Sequence, residues 1–248
     1  MSEVMHHTLY DGRRIAFRYT HGTGPALVFL PGYMSDMQGG KATALFAEAE
    51  AKGRACLLMD YSGCGQSAGE FADGTLSRWR DEVLALIASY ASGPVLLVGS
   101  SMGGWLMLLV AQRLGGRLDE RLAGMIGIAP APDFTRWGYT EAQRAQLAAG
   151  ETIYEPNPYG PEPTPTYAKF FADAECHVRL EGEIDLACPV HLLHGKCDAD
   201  VPWEISLRLK QALRSDDVQV SLIDDGDHRL SRPGDVELLK AVVAGFYG

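Results

Sequence analysis

Gly99, Ser101 and Gly103 carry the strongest chemical signal in the chain. They lie between an apolar run, Val95-Leu96-Leu97-Val98, and a helix-forming run that begins Trp105-Leu106-Met107-Leu108. The pattern G-x-S-x-G between strand and helix describes a sharp turn that lifts a serine hydroxyl off the end of a sheet. The glycines have a steric reason. Backbone in such a turn is strained, and positions two before and two after the serine pack too closely for side chains. A glycine-rich turn with an idle serine would fit the same pattern, so Ser101 needs partners. A hydroxyl becomes a nucleophile when a base takes its proton during attack, and the resulting oxyanion needs hydrogen-bond donors.

Seven histidines compete for the role of base. His6, His7 and His21 lie in or near the first hairpin, and His177 lies in an insertion. His191 and His194 fall within or at the end of an apolar strand and read as satisfied core histidines. His228 sits in the turn Asp224-Asp225-Gly226-Asp227-His228-Arg229, after the last strand and before the last helix, and is the expected base. The stretch His194-Gly195-Lys196-Cys197-Asp198-Ala199-Asp200-Val201-Pro202 supplies two acids, and Asp133 is a third candidate. Asp198 is preferred, being just beyond the strand's turn; Asp200 is expected to cap the helix that follows. The order Ser101, Asp198, His228 suits a sheet with a serine on such a turn. The oxyanion donors are then the backbone N–H of Met102 and that of Tyr33, in the loop Pro31-Gly32-Tyr33-Met34.

Those residues need a scaffold that brings loops from distant sequence to one edge. Residues 8–19 read as a hairpin around Asp11-Gly12. Apolar strands are expected at 25–30, 54–60, 95–98, 122–128, 190–195 and 217–223. Helices are expected around 40–52, 75–90, 105–114, 203–213 and 236–246. Continuous apolar strands alternating with helices imply an α/β class, a doubly wound and mostly parallel sheet of the eight-stranded type. Right-handed crossovers put the carboxyl ends of its strands on one edge, where ligands bind. The length of 248 residues suits one such domain, 1–248. Residues 133–186 break the rhythm with two helical pieces around a five-proline stretch and read as a cap over the edge. Trp105, Tyr159, Tyr167 and Phe170 are its candidate pocket residues.

Bulk properties exclude several classes. The net charge of −10 argues against a nucleic-acid surface, and residues 133–186 alone hold ten acids and four bases. The most apolar window is interrupted by Gly99, Ser100, Ser101, Gly103 and Gly104, so stable membrane insertion is not expected. Five scattered cysteines show no ligand spacing and read as reduced thiols. Residues 1–14 have neither an apolar core nor the arginine content of a leader, so a cytoplasmic protein is expected. No cofactor or metal site is suggested, and the oligomeric state is not legible.

The turn around Ser101, the Pro31-Gly32-Tyr33 loop, Asp60-Tyr61-Ser62-Gly63-x-Gly65-x-Ser67 and the Asp198/His228 pair resemble an α/β-hydrolase. Longer stretches resemble one branch of the abhydrolase-domain proteins, the mitochondrial acyl-protein thioesterases and acyl-glucuronide esterases. These are Thr75-Leu76-x-x-Trp79-Arg80, Gly99 to Leu108, Leu192-Leu193-His194-Gly195 with Val201-Pro202-Trp203, and Asp227-His228-Arg229. The resemblance implies Ser101, Asp198 and His228 as a triad that cleaves esters or thioesters, with a small molecule or an acylated protein as substrate. Two alternatives stay open. One is another hydrolase or cofactor-free enzyme on the same fold, such as an amidase, a C–C bond hydrolase or a peroxidase. The other is a catalytically silent binding module.

Overall fold

The computed structural model describes residues 3–115, 121–158 and 160–247. Eight strands form one sheet: β1 (Met5–Thr8), β2 (Arg14–Thr20), β3 (Thr23–Leu30), β4 (Arg54–Met59), β5 (Val95–Ser100), β6 (Leu122–Ile128), β9 (Val190–Gly195) and β10 (Val218–Ile223). Their spatial order is β1-β2-β4-β3-β5-β6-β9-β10. The six from β4 to β10 in that order run parallel, while β1 and β2 pair antiparallel at one edge. The mostly parallel sheet follows from sequence: β3 to β6 and β9 are apolar runs, and helices cover both of their faces.

The strand period of two sorts each run between two cores. In β5, Val95 and Leu97 face one cluster, with Trp79, Val83 and Leu86 of α2 (Leu76–Tyr90) and the inner face of α3 (Met102–Gly115). Leu96 and Val98 face the other, with Leu45 and Phe46 of α1 (Gly40–Lys52) and Leu239 and Val243 of α8 (Pro233–Gly245). Each fully buried aliphatic side chain contributes roughly 1.5–3 kcal/mol, largely offset by the entropy of ordering the chain. A helix α7 (Glu204–Ala212) joins β9 to β10. No helix among the described residues is long and apolar enough to cross a membrane.

The chain between β6 and β9 leaves the sheet. It forms α4 (Phe134–Trp137), α5 (Glu141–Ala148), a hairpin of β7 (Ile153–Glu155) and β8 (Thr164–Thr166), and α6 (Ala168–Glu175). The two helical pieces expected here correspond to α5, whose start carries a Thr140/Gln143 capping box in the structure, and to α6. α4 and the hairpin were not expected. Proline masks β8: Pro165 pairs opposite Tyr154 in a two-stranded ribbon, where a missing N–H is tolerated at an edge.

One side chain ties the stem of this insertion. Asp133 has a left-handed backbone (φ +57°), and its carboxylate accepts from Arg179 N at 2.8 Å and 2.9 Å and from Leu180 N at 2.6 Å. The far end is held by α6, where Phe170 packs among Tyr33, Trp79 and Phe134 and Asp173 accepts from Ser77 N at 2.9 Å.

Candidate active site

Four loops at the carboxyl ends of β3, β5, β9 and β10 meet on one edge. Ser101 stands between β5 and α3 with φ +54°, a conformation uncommon for a residue with a side chain. The turn is held by its backbone: Ser101 N donates to Ile128 O at 2.9 Å, and Ser101 O accepts from Gly104 N at 2.8 Å and Ala131 N at 3.0 Å. Gly103 is required here. A Cβ at this position would press on Leu30 O and lie 2.5 Å from Pro31 O, backbone atoms at the end of β3 and the start of the loop that carries Tyr33. Gly103→Ala is therefore expected to destabilise the fold by roughly 1–3 kcal/mol and to lower kcat as that loop shifts. Thermal denaturation and steady-state kinetics check this, and unchanged values for both would refute it.

The loops after β9 and β10 are stitched together. Lys196 N donates to Ile223 O at 2.8 Å and Cys197 N to Gly226 O at 2.9 Å. This brings Asp198 beside His228. His228 Nδ1 lies 2.8 Å from Asp198 Oδ2, and His228 Nε2 lies 3.1 Å from Ser101 Oγ. A carboxylate only accepts, so Nδ1 carries the proton and Nε2 faces the serine as an acceptor.

Asp198 is fully enclosed at its side chain. Burial opposes its ionisation. Hydrogen bonds from His194 and His228 and from the Val201 N–H outweigh that penalty and hold the carboxyl well below the usual carboxylate range. Its Oδ1 accepts from Asp200 N at 2.9 Å and Val201 N at 2.8 Å. Its Oδ2 accepts from both imidazoles, with His194 Nε2 at 3.1 Å. Asp198, Asp200 and His228 bring one potential ligand atom each within 4.8 Å of one another. Two of the three already form the hydrogen bond described above, which accounts for the cluster.

The other candidate acids are elsewhere occupied. Asp133 is committed to the stem of the insertion. Asp200 lines the cavity and does not cap α7, whose N-cap is Trp203 with no side-chain cap bond. The loop with Tyr33 sits against Ser101: a Cβ on Gly32 would be 3.4 Å from the Ser101 Cβ. Met102 opens α3, where no helical carbonyl can accept its N–H. The Tyr33 ring is packed away, its hydroxyl donating to Pro165 O of the insertion at 3.1 Å and burial raising its pKa.

A cavity of about 690 Å³ opens over Ser101 and His228. Its walls correct most of the expected pocket. Trp105 does not line it: its ring, carried by α3, is wholly buried against Phe134 and donates to His177 O at 2.9 Å. Phe170 is buried in the aromatic cluster around Tyr33, and Tyr167 packs toward Phe71. Tyr159 lies outside the described residues. The insertion contributes Phe134, Trp137, Tyr139 and Thr166 instead, while α1 and the His228 loop contribute Lys41, Arg229 and Ser231. Burial, with Arg229 nearby, pushes the Lys41 ammonium down to about 8. Phe134, Trp137, Tyr139 and Thr166 were not singled out from the sequence, because each becomes a wall only when the insertion folds back.

The chain is similar to known proteins in sequence and in fold. The profile of the alpha/beta hydrolase family matches residues 27–237. The chain belongs to this family. A human protein named palmitoyl-protein thioesterase ABHD10, mitochondrial, is 36% identical over 233 residues, covering 92% of this chain and 75% of its own length. The solved structure of mouse alpha/beta hydrolase domain-containing protein 10 superposes with a TM-score of 0.90 at 34% identity over 98% of both chains. A crystal structure from Agrobacterium vitis S4, described only as a presumptive hydrolase, gives 0.92 at 38% identity over the whole of both chains. The cytoplasmic expectation is corrected by these relatives, since the mammalian ones are named as mitochondrial. It rested on residues 1–14 and on scattered cysteines, neither of which bears on the folded alpha/beta hydrolase the relatives share.

Proposed function

We propose that this chain hydrolyses carboxylic thioesters and esters through a covalent acyl-enzyme on Ser101. The reading is carried by the unbroken hydrogen-bond chain from Asp198 through His228 to the Ser101 hydroxyl, at the floor of the cavity. Similarity to proteins named palmitoyl-protein thioesterase supports acyl-thioesters as a substrate class, on acylated proteins or small molecules.

In this reading Ser101 Oγ bonds to the substrate carbonyl carbon while His228 Nε2 takes the hydroxyl proton. The carbonyl oxygen becomes an oxyanion and accepts from the Met102 and Tyr33 N–H groups. Collapse breaks the carbon–sulfur or carbon–oxygen bond, and His228 gives its proton to the departing thiolate or alkoxide. Water then attacks the acyl-serine with His228 again as base, and the acid leaves with the serine hydroxyl restored. Asp198 holds the His228 tautomer and stabilises the imidazolium. The insertion between β6 and β9 serves as the cap, and Phe134, Trp137 and Tyr139 offer an apolar wall for the acyl chain.

The test is a comparison of kcat/KM for a thioester, an aryl ester and an amide of the same acyl group, over a series of chain lengths. Thioester and ester turnover is expected to exceed amide turnover by orders of magnitude. Amide turnover equal to or above the others would replace this reading with the amidase alternative.

A further inference from the structure

The chemistry above uses one histidine on Asp198, but two are present. His194 closes β9, and its side chain is wholly buried, as are Ser206 and the Asp198 carboxylate. His194 Nε2 lies 3.1 Å from Asp198 Oδ2 and 3.0 Å from Val201 O. Both are acceptors, so Nε2 carries the proton and donates to them. His194 Nδ1 lies 2.7 Å from Ser206 Oγ on α7 and, already without a proton in the neutral ring, accepts from that hydroxyl. The two acceptors at Nε2 thereby fix the tautomer of His194, and Ser206 fixes the plane of its ring.

The consequence falls on the carboxylate. Asp198 receives four donors, two on each oxygen, from Asp200 N, Val201 N, His228 Nδ1 and His194 Nε2. Its rotation is locked, and the oxygen that faces His228 is shared. A carboxylate oxygen with a second donor is a weaker acceptor toward the first. The titratable groups gathered around Asp198 are His228 and His194, in hydrogen-bond contact, and Asp200, within 4.8 Å.

We infer that His194 is a positioning residue for the proposed hydrolysis, acting through Asp198: its Nε2–H shares Oδ2 with His228 and sets the orientation and acceptor strength of the carboxylate. The inference rests on the reading of Ser101, His228 and Asp198 as the reacting chain. It assigns a role to a residue whose position inside a strand reads as core. Removing the donor leaves Oδ2 to His228 alone. Asp198 then binds the His228 imidazolium more strongly, so that His228 gives up its proton only at higher pH, and the carboxylate also gains freedom to turn.

The experiment compares wild type with His194→Phe, His194→Gln and Ser206→Ala, using pH profiles of kcat/KM, Tm and labelling by a fluorophosphonate serine probe. In His194→Phe the acid limb of the profile is expected to rise by about half to one pH unit. Its kcat is expected to fall roughly tenfold or more with KM little changed. His194→Gln returns an N–H to Oδ2 and is expected to bring the limb back toward wild type. An acid limb that stays in place in His194→Phe, with only Tm reduced, would overturn the inference. If His194→Phe does not fold, Ser206→Ala carries the test: the same upward shift, smaller in size, supports the inference and an unmoved limb overturns it. A wild-type protein that the probe fails to label would overturn the acyl-enzyme reading itself. A labelled wild type with unmoved limbs in the variants overturns the role of His194 alone.

Discussion

Ser101→Ala is expected to lower kcat by roughly four to six orders of magnitude, the scale on which a nucleophile acting as part of a triad is lost. The change deletes one atom, the Oγ that lies 3.1 Å from His228 Nε2. It leaves the backbone environment of the turn unchanged. Alanine and serine both carry a Cβ at φ +54°, so the local strain is the same before and after, and the Tm is expected to stay near wild type. The prediction therefore separates chemistry from folding. Turnover of a thioester substrate, measured against the wild type alongside a melting curve, is the check. Retention of more than a tenth of the activity by a folded variant would remove Ser101 from the mechanism and the proposed function with it.

Asp198→Asn is expected to cost about three to four orders of magnitude in kcat while preserving the fold. The reason is specific to the way this side chain is held. Oδ1 accepts from two backbone N–H groups, those of Asp200 and Val201. In the variant the amide oxygen must take that place, since an amide NH2 would face two donors there. The NH2 group is then left at the Oδ2 position, where it meets the Nδ1 of His228 and the Nε2 of His194. His228 can accommodate it only by accepting at Nδ1. Its proton then moves to Nε2, which faces Ser101 and can no longer take the hydroxyl proton. A variant within tenfold of wild type at neutral pH would show that the tautomer is not set by Asp198.

Much of the scaffold was legible before any coordinates. The apolar runs of β3, β5, β6 and β9 fell within a residue or two of their places, because a strand buried on both faces reads as a near-continuous apolar run. Ser101 was legible because its turn demands glycine on either side, a constraint written into neighbouring positions. His228 and Asp198 were picked out by residue type and chain order, each lying in the loop after a strand, and the structure brings them together beside Ser101. The pocket was not legible. Trp105 and Phe170 are aromatic and near the right loops, yet packing turned one toward His177 of the insertion and the other into a cluster with Tyr33. Trp137 and Tyr139 line the cavity because α4, a four-residue helix too short to leave a periodic signal, directs them there.

The division has one physical source. Local rules of sterics and burial period act over a few residues, so the sequence by itself determined the strands, the strained turn at Ser101 and the order of the loops that carry Ser101, Asp198 and His228. Contacts between residues far apart in the chain obey no such period. The tie between Asp133 and the backbone of Arg179 and Leu180, the walls of the cavity and the pairing of His194 with Asp198 at the end of β9 were decided only when the tertiary structure brought those segments together.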